Sequence, residues 1–223
     1  MNTASLAVPR TRPAPGWPVP AALLVLTVVP LIAGALRLLE LSGGPALLPS
    51  DRRFDGFPVA LVAHILGAAV YAVVGAFQFL PRFRRHHLIW HRRAGRALAG
   101  AGLLVAGSAL WLTLGYPPKA GTGDLLYAMR LIFASAMIAS LVLGINAARH
   151  RDIRAHRTWM IRAYAIALAA GTQVFTEGLA DALFSSTALG DDLAKTVGWL
   201  INLVVAEWVI RRPGRAGHTH ITG

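Results

Sequence analysis

Four polar side chains that could bind a ligand or carry a proton lie inside apolar stretches of this sequence. They are one histidine, one arginine, one glutamine and one glutamate: His64, Arg130, Gln173 and Glu177. At a rise of 1.5 Å per residue, the first three lie roughly 8–10 Å from the arginine-poor ends of their helices, and Glu177 lies one turn nearer that end. We therefore predict that the four side chains meet at one level of a helical bundle.

Two explanations account for such a group, because an ionisable side chain is costly inside a bilayer and usually faces the interior of a bundle. In the first, Glu177 neutralises Arg130, while His64 and Gln173 complete a pocket for a small polar or amphipathic ligand or for a proton. In the second, the residues form a buried network that only fixes the register of the helices. The cost of an arginine and a glutamate within the membrane favours the first explanation.

The histidines raise the question of a haem. Two imidazoles on facing helices at one depth bind a b-type haem, and in the arginine-poor half of the bundle only His64 is available. At the other end, His91 and His156 each stand near the start of a helix that returns across the membrane, so they form the best candidate pair. The alternative is that both are interfacial histidines, solvated together with neighbouring arginines.

The arginines near these histidines form a second candidate site. Their planar forks match the geometry of phosphate, which predicts contact with anionic lipids or a phosphorylated ligand. The residues concerned are Arg84, Arg85, Arg92, Arg96, Arg157 and Arg162. Ordinary determination of topology explains the same residues without a ligand. Asn202 and Glu207 are expected to be structural, with Glu207 paired to an arginine of these basic loops.

Helices must position these side chains, and the composition indicates that the helices cross a membrane. Of the 223 residues, 55% are hydrophobic and 14% are charged, which is too little charge to cover a soluble domain of this size. Apolar runs of about 20 residues, enough to cross the hydrocarbon core, predict six spans, at about 19–39, 58–80, 95–115, 125–147, 159–180 and 194–211. We predict an all-α polytopic integral membrane protein in which spans 2 to 5 form a central four-helix bundle. The predicted domains are a disordered, Pro-rich N-terminal tail at 1–18, one membrane domain at 19–211, and a C-terminal tail at 212–223.

The distribution of arginine predicts the orientation. Arginine is frequent in both tails and in the loops after spans 2 and 4, and the other loops are nearly neutral or acidic. Because cytoplasmic loops carry an excess of Lys and Arg, both termini are expected in the cytoplasm. The formal net charge of +12 resides mostly in these short loops and tails, which favours the lipid bilayer and its anionic lipids as partners over nucleic acid. The chain has no cysteine, so disulfides, thiolate nucleophiles and iron–sulfur ligation are excluded.

Two segments beside the basic loops carry a resemblance to a known family. One is Phe-Gln-Phe-Leu-Pro at 77–81, followed by Trp-His-Arg at 90–92 and Gly-Arg at 95–96, and the other is His-Arg-Thr-Trp-Met-Ile-Arg-Ala-Tyr at 156–164. Over about residues 60–175 the chain resembles the bacterial predicted membrane proteins called domain of unknown function 2306 (DUF2306). His64 matches a histidine usual in that family, whereas residues 171–175 lack an arginine that the family often carries. The resemblance implies a multi-pass protein of the bacterial inner membrane without an established activity.

Two functional classes follow. The first is a membrane protein that binds or transports a small ligand in a polar pocket in the outer half of the bundle, and an enzymatic role stays open. The second is a redox protein, linked to haem b or to a quinone, with histidine ligands at the inner side. Small residues on the third span, such as Gly95, Gly102 and Gly107, could pack helices within one chain or between two copies, so a homo-oligomer also stays open.

Overall fold

The computed structural model describes residues 17–49, 51–54, 58–80, 87–119, 121–184 and 187–212, and every regular element within them is helical. The α-helices are α1 (Pro18–Leu41), α2 (Val59–Gln78), α3 (Leu88–Gly115), α4 (Asp124–Arg149), α5 (Ile153–Ala167), α6 (Ala169–Leu183) and α7 (Ala188–Arg211). A short 3₁₀ turn, Arg52–Phe54, lies between α1 and α2. The predicted tails lie almost entirely outside the described residues.

Five of the described helices are long and apolar enough to cross a membrane, namely α1, α2, α3, α4 and α7. Their outward faces carry large apolar side chains such as Val25 and Val204, which are 71% and 68% exposed. A soluble protein rarely exposes contiguous apolar surface, whereas lipid accepts it on every side of a bundle. The chain is therefore a polytopic helical membrane protein, as its composition predicted.

The predicted span at 159–180 is interrupted, because this region consists of two helices of 15 residues, α5 and α6, which meet at Leu168. The Asn202 side chain of α7 holds the break: its amide nitrogen donates to the Ala165 carbonyl (3.0 Å), and its oxygen accepts from the Thr172 hydroxyl (2.7 Å). Carbonyls near a break lose regular helical partners, and inside a membrane they need others. Asn202 thus has the structural role expected of it.

The break gives the two halves different neighbours. Helix α5 packs chiefly against α4 and α7, whereas α6 packs against α7 and α1. Gly171 in the first turn of α6 lies so close to the Leu26 carbonyl of α1 that a β-carbon would have no room there.

Aromatic rings and a glycine account for the close packing of the interior. Tyr71 of α2 and Tyr164 of α5 lie with their ring centroids 5.7 Å apart, and Phe133 of α4 stacks on Trp199 of α7 at 4.7 Å. Gly102 of α3 faces the Tyr71 ring, which leaves no space for a β-carbon. Small residues let helices approach closely in membranes, as the glycines of these spans predicted.

Helix α7 packs within the bundle as well, beside the helices of the predicted central spans 2 to 5. It packs against α4, α5 and α6. The bundle has two ends. The loops between α1 and α2, α3 and α4, and α6 and α7 form the arginine-poor end, and the loops between α2 and α3 and between α4 and α5 form the arginine-rich end.

Candidate ligand site at the arginine-poor end

A cleft of about 240 Å³ opens between the C-terminal end of α3 and the N-terminal end of α4. Its polar lining comes from two arginines, two threonines, two tyrosines and one aspartate: Arg53, Arg130, Thr113, Thr122, Tyr116, Tyr127 and Asp124. Leu112, Pro117 and Pro118 supply apolar wall. Concave sites with apolar walls and a few convergent polar groups are typical of small-molecule binding.

Arg130 is the residue of the predicted set that lines this cleft. Its side chain is half-buried on the second turn of α4, and no hydrogen bond or ion pair joins it to another of the described residues. A guanidinium carries five N–H donors and cannot be neutralised by deprotonation. Arg130 therefore presents an uncommitted cation and several uncommitted donors to the cleft.

Arg53 is held in place by its neighbours. Its Nε and Nη2 atoms donate to the two carboxylate oxygens of Asp51 at 2.8 and 2.6 Å, and its guanidinium lies over the Phe54 ring at 5.0 Å. The Phe54 ring in turn packs against Tyr116 at 5.2 Å. Arg53 beside the carboxylate lowers the pKa of Asp51 from its ordinary range. A loop residue is thereby fixed at the rim of the cleft.

Asp192 supports the cleft from α7, a role that was not predicted. It is 1% exposed, and its carboxylate accepts hydrogen bonds from the backbone N–H groups of Gly123 (3.0 and 3.2 Å) and Leu126 (3.0 Å) at the start of α4. Backbone N–H groups at a helix N-terminus need acceptors, and here a different helix provides one. In the sequence, Asp192 stands next to Asp191 and looked like an ordinary acidic loop residue, so no local signal distinguished it.

The structure does not bring the four predicted residues into one hydrogen-bonded set. Glu177 forms its ion pair with Lys195 of α7 (2.9 Å) rather than with Arg130, and the Gln173 amide donates to the Lys195 carbonyl (2.9 Å). Glu177 therefore forms no ion pair with Arg130 among the described residues, although its carboxylate is one of the negative charges that act on Arg130. Lys195 provides the nearer cation, and its place in the first turns of α7 had put it outside the predicted set.

His64 belongs to a separate contact between α2 and α3. Its Nδ1 atom lies 3.1 Å from the Val105 carbonyl and 3.1 Å from the Ser108 hydroxyl. The Ser108 hydroxyl is also within reach of the Leu104 carbonyl (2.6 Å). This arrangement joins two helices by a polar contact, and His64 does not line the cleft that contains Arg130.

The second predicted site lies at the arginine-rich end. His156, on the first turn of α5, has its Nδ1 atom 2.8 Å from the Gly144 carbonyl of α4, and His91 lies on the first turn of α3. Arg162 donates to Glu207 of α7 at 2.6 Å, which confirms the expected pairing of Glu207. Arg92, Arg96 and Arg157 are exposed, and Arg84 and Arg85 lie outside the described residues. Within the described part of the chain, no group of three or more His, Asp or Glu side chains could hold a metal ion.

The sequence was then compared with known proteins. The model of a family described as predicted membrane proteins, DUF2306, matches residues 61–210. The chain belongs to this family. No curated protein and no solved structure matches it. The DUF2306 match begins in α2 and continues almost to the end of α7, beyond the segment that carried the resemblance. It therefore includes Arg130, Asp192 and Lys195, whereas Arg53 precedes it.

Proposed function

We propose that this DUF2306 protein is a multi-pass protein of the bacterial inner membrane that binds a small polar or amphipathic ligand in the cleft beside Arg130. The proposal includes six crossings, with α5 and α6 together making one interrupted crossing and both termini in the cytoplasm. The excess of arginine in alternate loops supports this orientation. The arginine-poor end, with its cleft, then faces away from the cytoplasm.

Arg130 is the observation that carries the proposal. Placing an arginine at the centre of a membrane-spanning helix costs about 2.5–3.5 kcal/mol even by the lower estimates, and a position nearer the end, such as that of Arg130, costs less. A purely structural arginine recovers that cost through acceptors from its own protein, and among the described residues none bonds to Arg130. At about 240 Å³ the cleft is smaller than the usual range for drug-sized ligands, so it suits a small molecule or the head of a larger one.

Single cysteine variants test both orientation and binding, because the natural chain contains no cysteine. In spheroplasts, Leu47→Cys in the exposed loop before α2 should react with a membrane-impermeant maleimide. Arg157→Cys at the opposite end should react only after the membrane is permeabilised. The reverse pattern would overturn the proposed orientation.

Thr113→Cys tests the cleft itself. Purified in detergent, this variant should react with the maleimide, and at least one of four probes should slow the reaction several-fold: inorganic phosphate, octanoate, choline or glucose. The matched control is Leu47→Cys, which lies outside the cleft and should react at one rate with every probe. The binding proposal fails if Thr113→Cys is inert while Leu47→Cys reacts, or if all four probes leave both rates unchanged.

One observation favours a second candidate, a redox protein linked to haem b or to a quinone, with His91 and His156 as its histidine ligands. When Nδ1 of His156 donates its proton to the Gly144 carbonyl, Nε2 is left with the lone pair that an iron ligand needs, and a backbone acceptor of this kind typically orients ligating histidines. Protein expressed with added haem should then show a Soret band that His156→Ala removes. A spectrum without that band would eliminate the candidate.

Exposed arginines at the arginine-rich end support contact with anionic lipid headgroups. Arg92, Arg96 and Arg157 have no ion pair within the described residues, and each basic group near an anionic surface contributes about 1 kcal/mol of attraction. Arg162 is already paired with Glu207, so we expect it to contribute less. Gly95 and Gly107 face open space, and pairing of two copies through α3 stays a prediction.

A further inference from the structure

We propose that the cleft is a site for an oxyanion, and that its ligand presents one carboxylate or phosphate group to Arg53 and Arg130. This inference rests on the ligand-binding function proposed above and names the chemical class of the ligand. The two guanidinium groups come from different parts of the chain, the 3₁₀ turn before α2 and the second turn of α4, and both line the same cleft.

The hydrogen-bonding groups of the cleft favour an acceptor as ligand. The hydroxyls of Thr113 and Thr122 donate to backbone carbonyls of their own segments at 2.7 and 2.6 Å, so their protons are already used. Among the lining residues, the side-chain donors left for a ligand are the Arg130 guanidinium, the remaining N–H groups of Arg53 and the hydroxyls of Tyr116 and Tyr127. Arginine forks match carboxylate and phosphate oxygens with two parallel hydrogen bonds.

The charges around Arg130 favour a negative ligand. Arg53 repels the Arg130 guanidinium, whereas Asp192 and Glu177 attract it without forming a hydrogen bond or ion pair with it among the described residues. Both of these carboxylates are engaged elsewhere, Asp192 with backbone N–H groups of α4 and Glu177 with Lys195. An oxyanion between the two arginines would remove their mutual repulsion and supply the close partner that Arg130 lacks among the described residues.

Asp124 limits how much negative charge the cleft can accept. It is the acidic residue of the lining, in the first turn of α4, and like charges at close range repel each other. The aromatic and apolar wall of Tyr116, Pro117 and Leu112 leaves room for a short apolar part beside the charged group. We therefore expect a ligand with a single anionic group, either a free small anion or the head of a membrane lipid.

The test compares anionic probes on purified protein by a thermal-stability titration at constant ionic strength. Inorganic phosphate and octanoate should bind, citrate should bind more weakly because of its several charges, and choline and glucose should not bind. Arg130→Gln should weaken phosphate or octanoate binding on the order of 10- to 100-fold, since each hydrogen bond to a charged group is a strong one. Arg93→Gln, an exposed arginine at the opposite end, is the matched control and should bind as the natural protein does.

Arg53→Gln provides a second variant in a loop outside the membrane, in case Arg130→Gln fails to fold, and it too should weaken binding. Nanodiscs of phosphatidylglycerol and of phosphatidylcholine separate the two sources of the anion. Protection of Thr113→Cys by phosphatidylglycerol alone assigns a lipid head, and protection by free phosphate or octanoate in both lipids assigns a small anion. Either result would show that the cleft binds an oxyanion.

Two further results would overturn the inference. If choline or glucose protects Thr113→Cys while both anions fail, the cleft binds a ligand of another class and the proposed function survives. If Arg53→Gln and a folded Arg130→Gln both bind the anions like the natural protein, the arginines do not hold the ligand. The proposed function itself fails when Thr113→Cys is inert while Leu47→Cys reacts, or when no probe of any charge protects Thr113→Cys.

Discussion

Two buried polar side chains at opposite ends of the bundle have opposite surroundings. Asp192, at the arginine-poor end, accepts hydrogen bonds from the backbone N–H groups of Gly123 and Leu126. Gln78, the last residue of α2 at the arginine-rich end, buries both its amide nitrogen and its amide oxygen, and neither has a hydrogen-bond partner in the part of the chain that the structure describes. A satisfied buried polar group stabilises the fold, whereas an unsatisfied one costs its full desolvation energy.

Buried polar side chains in a membrane bundle can have two different roles. Asp192 has a structural role, because the backbone N–H groups at the start of α4 need acceptors and α7 supplies one. Gln78 and Arg130 both lack partners among the described residues, but they differ in access. The Gln78 amide atoms are sealed from solvent, whereas Arg130 opens onto a cleft. Of the two, only Arg130 can offset the free-energy cost of its burial by binding a ligand that enters the cleft from outside the protein.

Removing Asp192 should have the largest effect. Asp192→Ala leaves the backbone N–H groups of Gly123 and Leu126 without an acceptor, and we expect a loss of about 2–3 kcal/mol in the free energy of unfolding. Thermal unfolding followed by circular dichroism in detergent measures it. Asp191→Ala is the matched control, because Asp191 lies one residue earlier in the first turn of α7 and should cost about 0.5 kcal/mol through the helix dipole alone. Equal losses in the two variants would show that the contact to α4 is not what matters.

Replacing Gln78 tests the unsatisfied member of this pair of residues. Because its amide has no partner to lose among the described residues, Gln78→Leu should leave the protein as stable as before or stabilise it by about 1 kcal/mol. Gln173→Leu removes an amide that does donate a hydrogen bond, to the Lys195 carbonyl, and should destabilise by about 1 kcal/mol. Both are read from the same thermal unfolding curves. A clear loss in Gln78→Leu would mean that its amide is paired in the membrane.

Much of the fold could be predicted from the sequence, because apolar length and arginine placement are local signals. They located five helices that can cross a membrane, and the face of α2 that carries Gly67 and Tyr71 is buried as the spacing predicted. The break at Leu168 could not be predicted. It depends on the Asn202 amide of a helix some 35 residues later along the chain, and no pattern within residues 159–180 records that contact.

The candidate site was predictable only in part, for a related reason. Arg130 was found because an arginine in an apolar run is rare and costly. The position of a residue along a helix indicates the level at which its side chain lies, but not which neighbouring helix the side chain faces. In the structure His64 contacts α3, and Glu177 contacts Lys195. Arg53 and Asp192 were overlooked as members of a site because both stand in or next to polar loops, where charged residues are ordinary.

The smallest effect is expected from the ion pair between Arg53 and Asp51 at the rim of the cleft. Arg53 lowers the pKa of Asp51 below its ordinary value of 3.8, so the charged pair stabilises the fold at neutral pH. That contribution is present above the unfolded-state pKa and is lost as the pH falls through the lower folded-state pKa. Solvent reaches both side chains, which are 15% and 20% exposed, so we expect only a few tenths of a kcal/mol.

Asp51→Asn tests this contribution when its unfolding is compared with that of the natural protein between about pH 3 and pH 7. The difference in stability should be constant near neutral pH and shrink toward the acid end, where the natural carboxylate also becomes uncharged. Asp181→Asn, at an exposed position of α6, should give no such trend. A difference for Asp51→Asn that persists undiminished in acid would mean that the residue acts through packing rather than charge. In that case the orientation of Arg53, and with it anion binding at the cleft, should survive acidification.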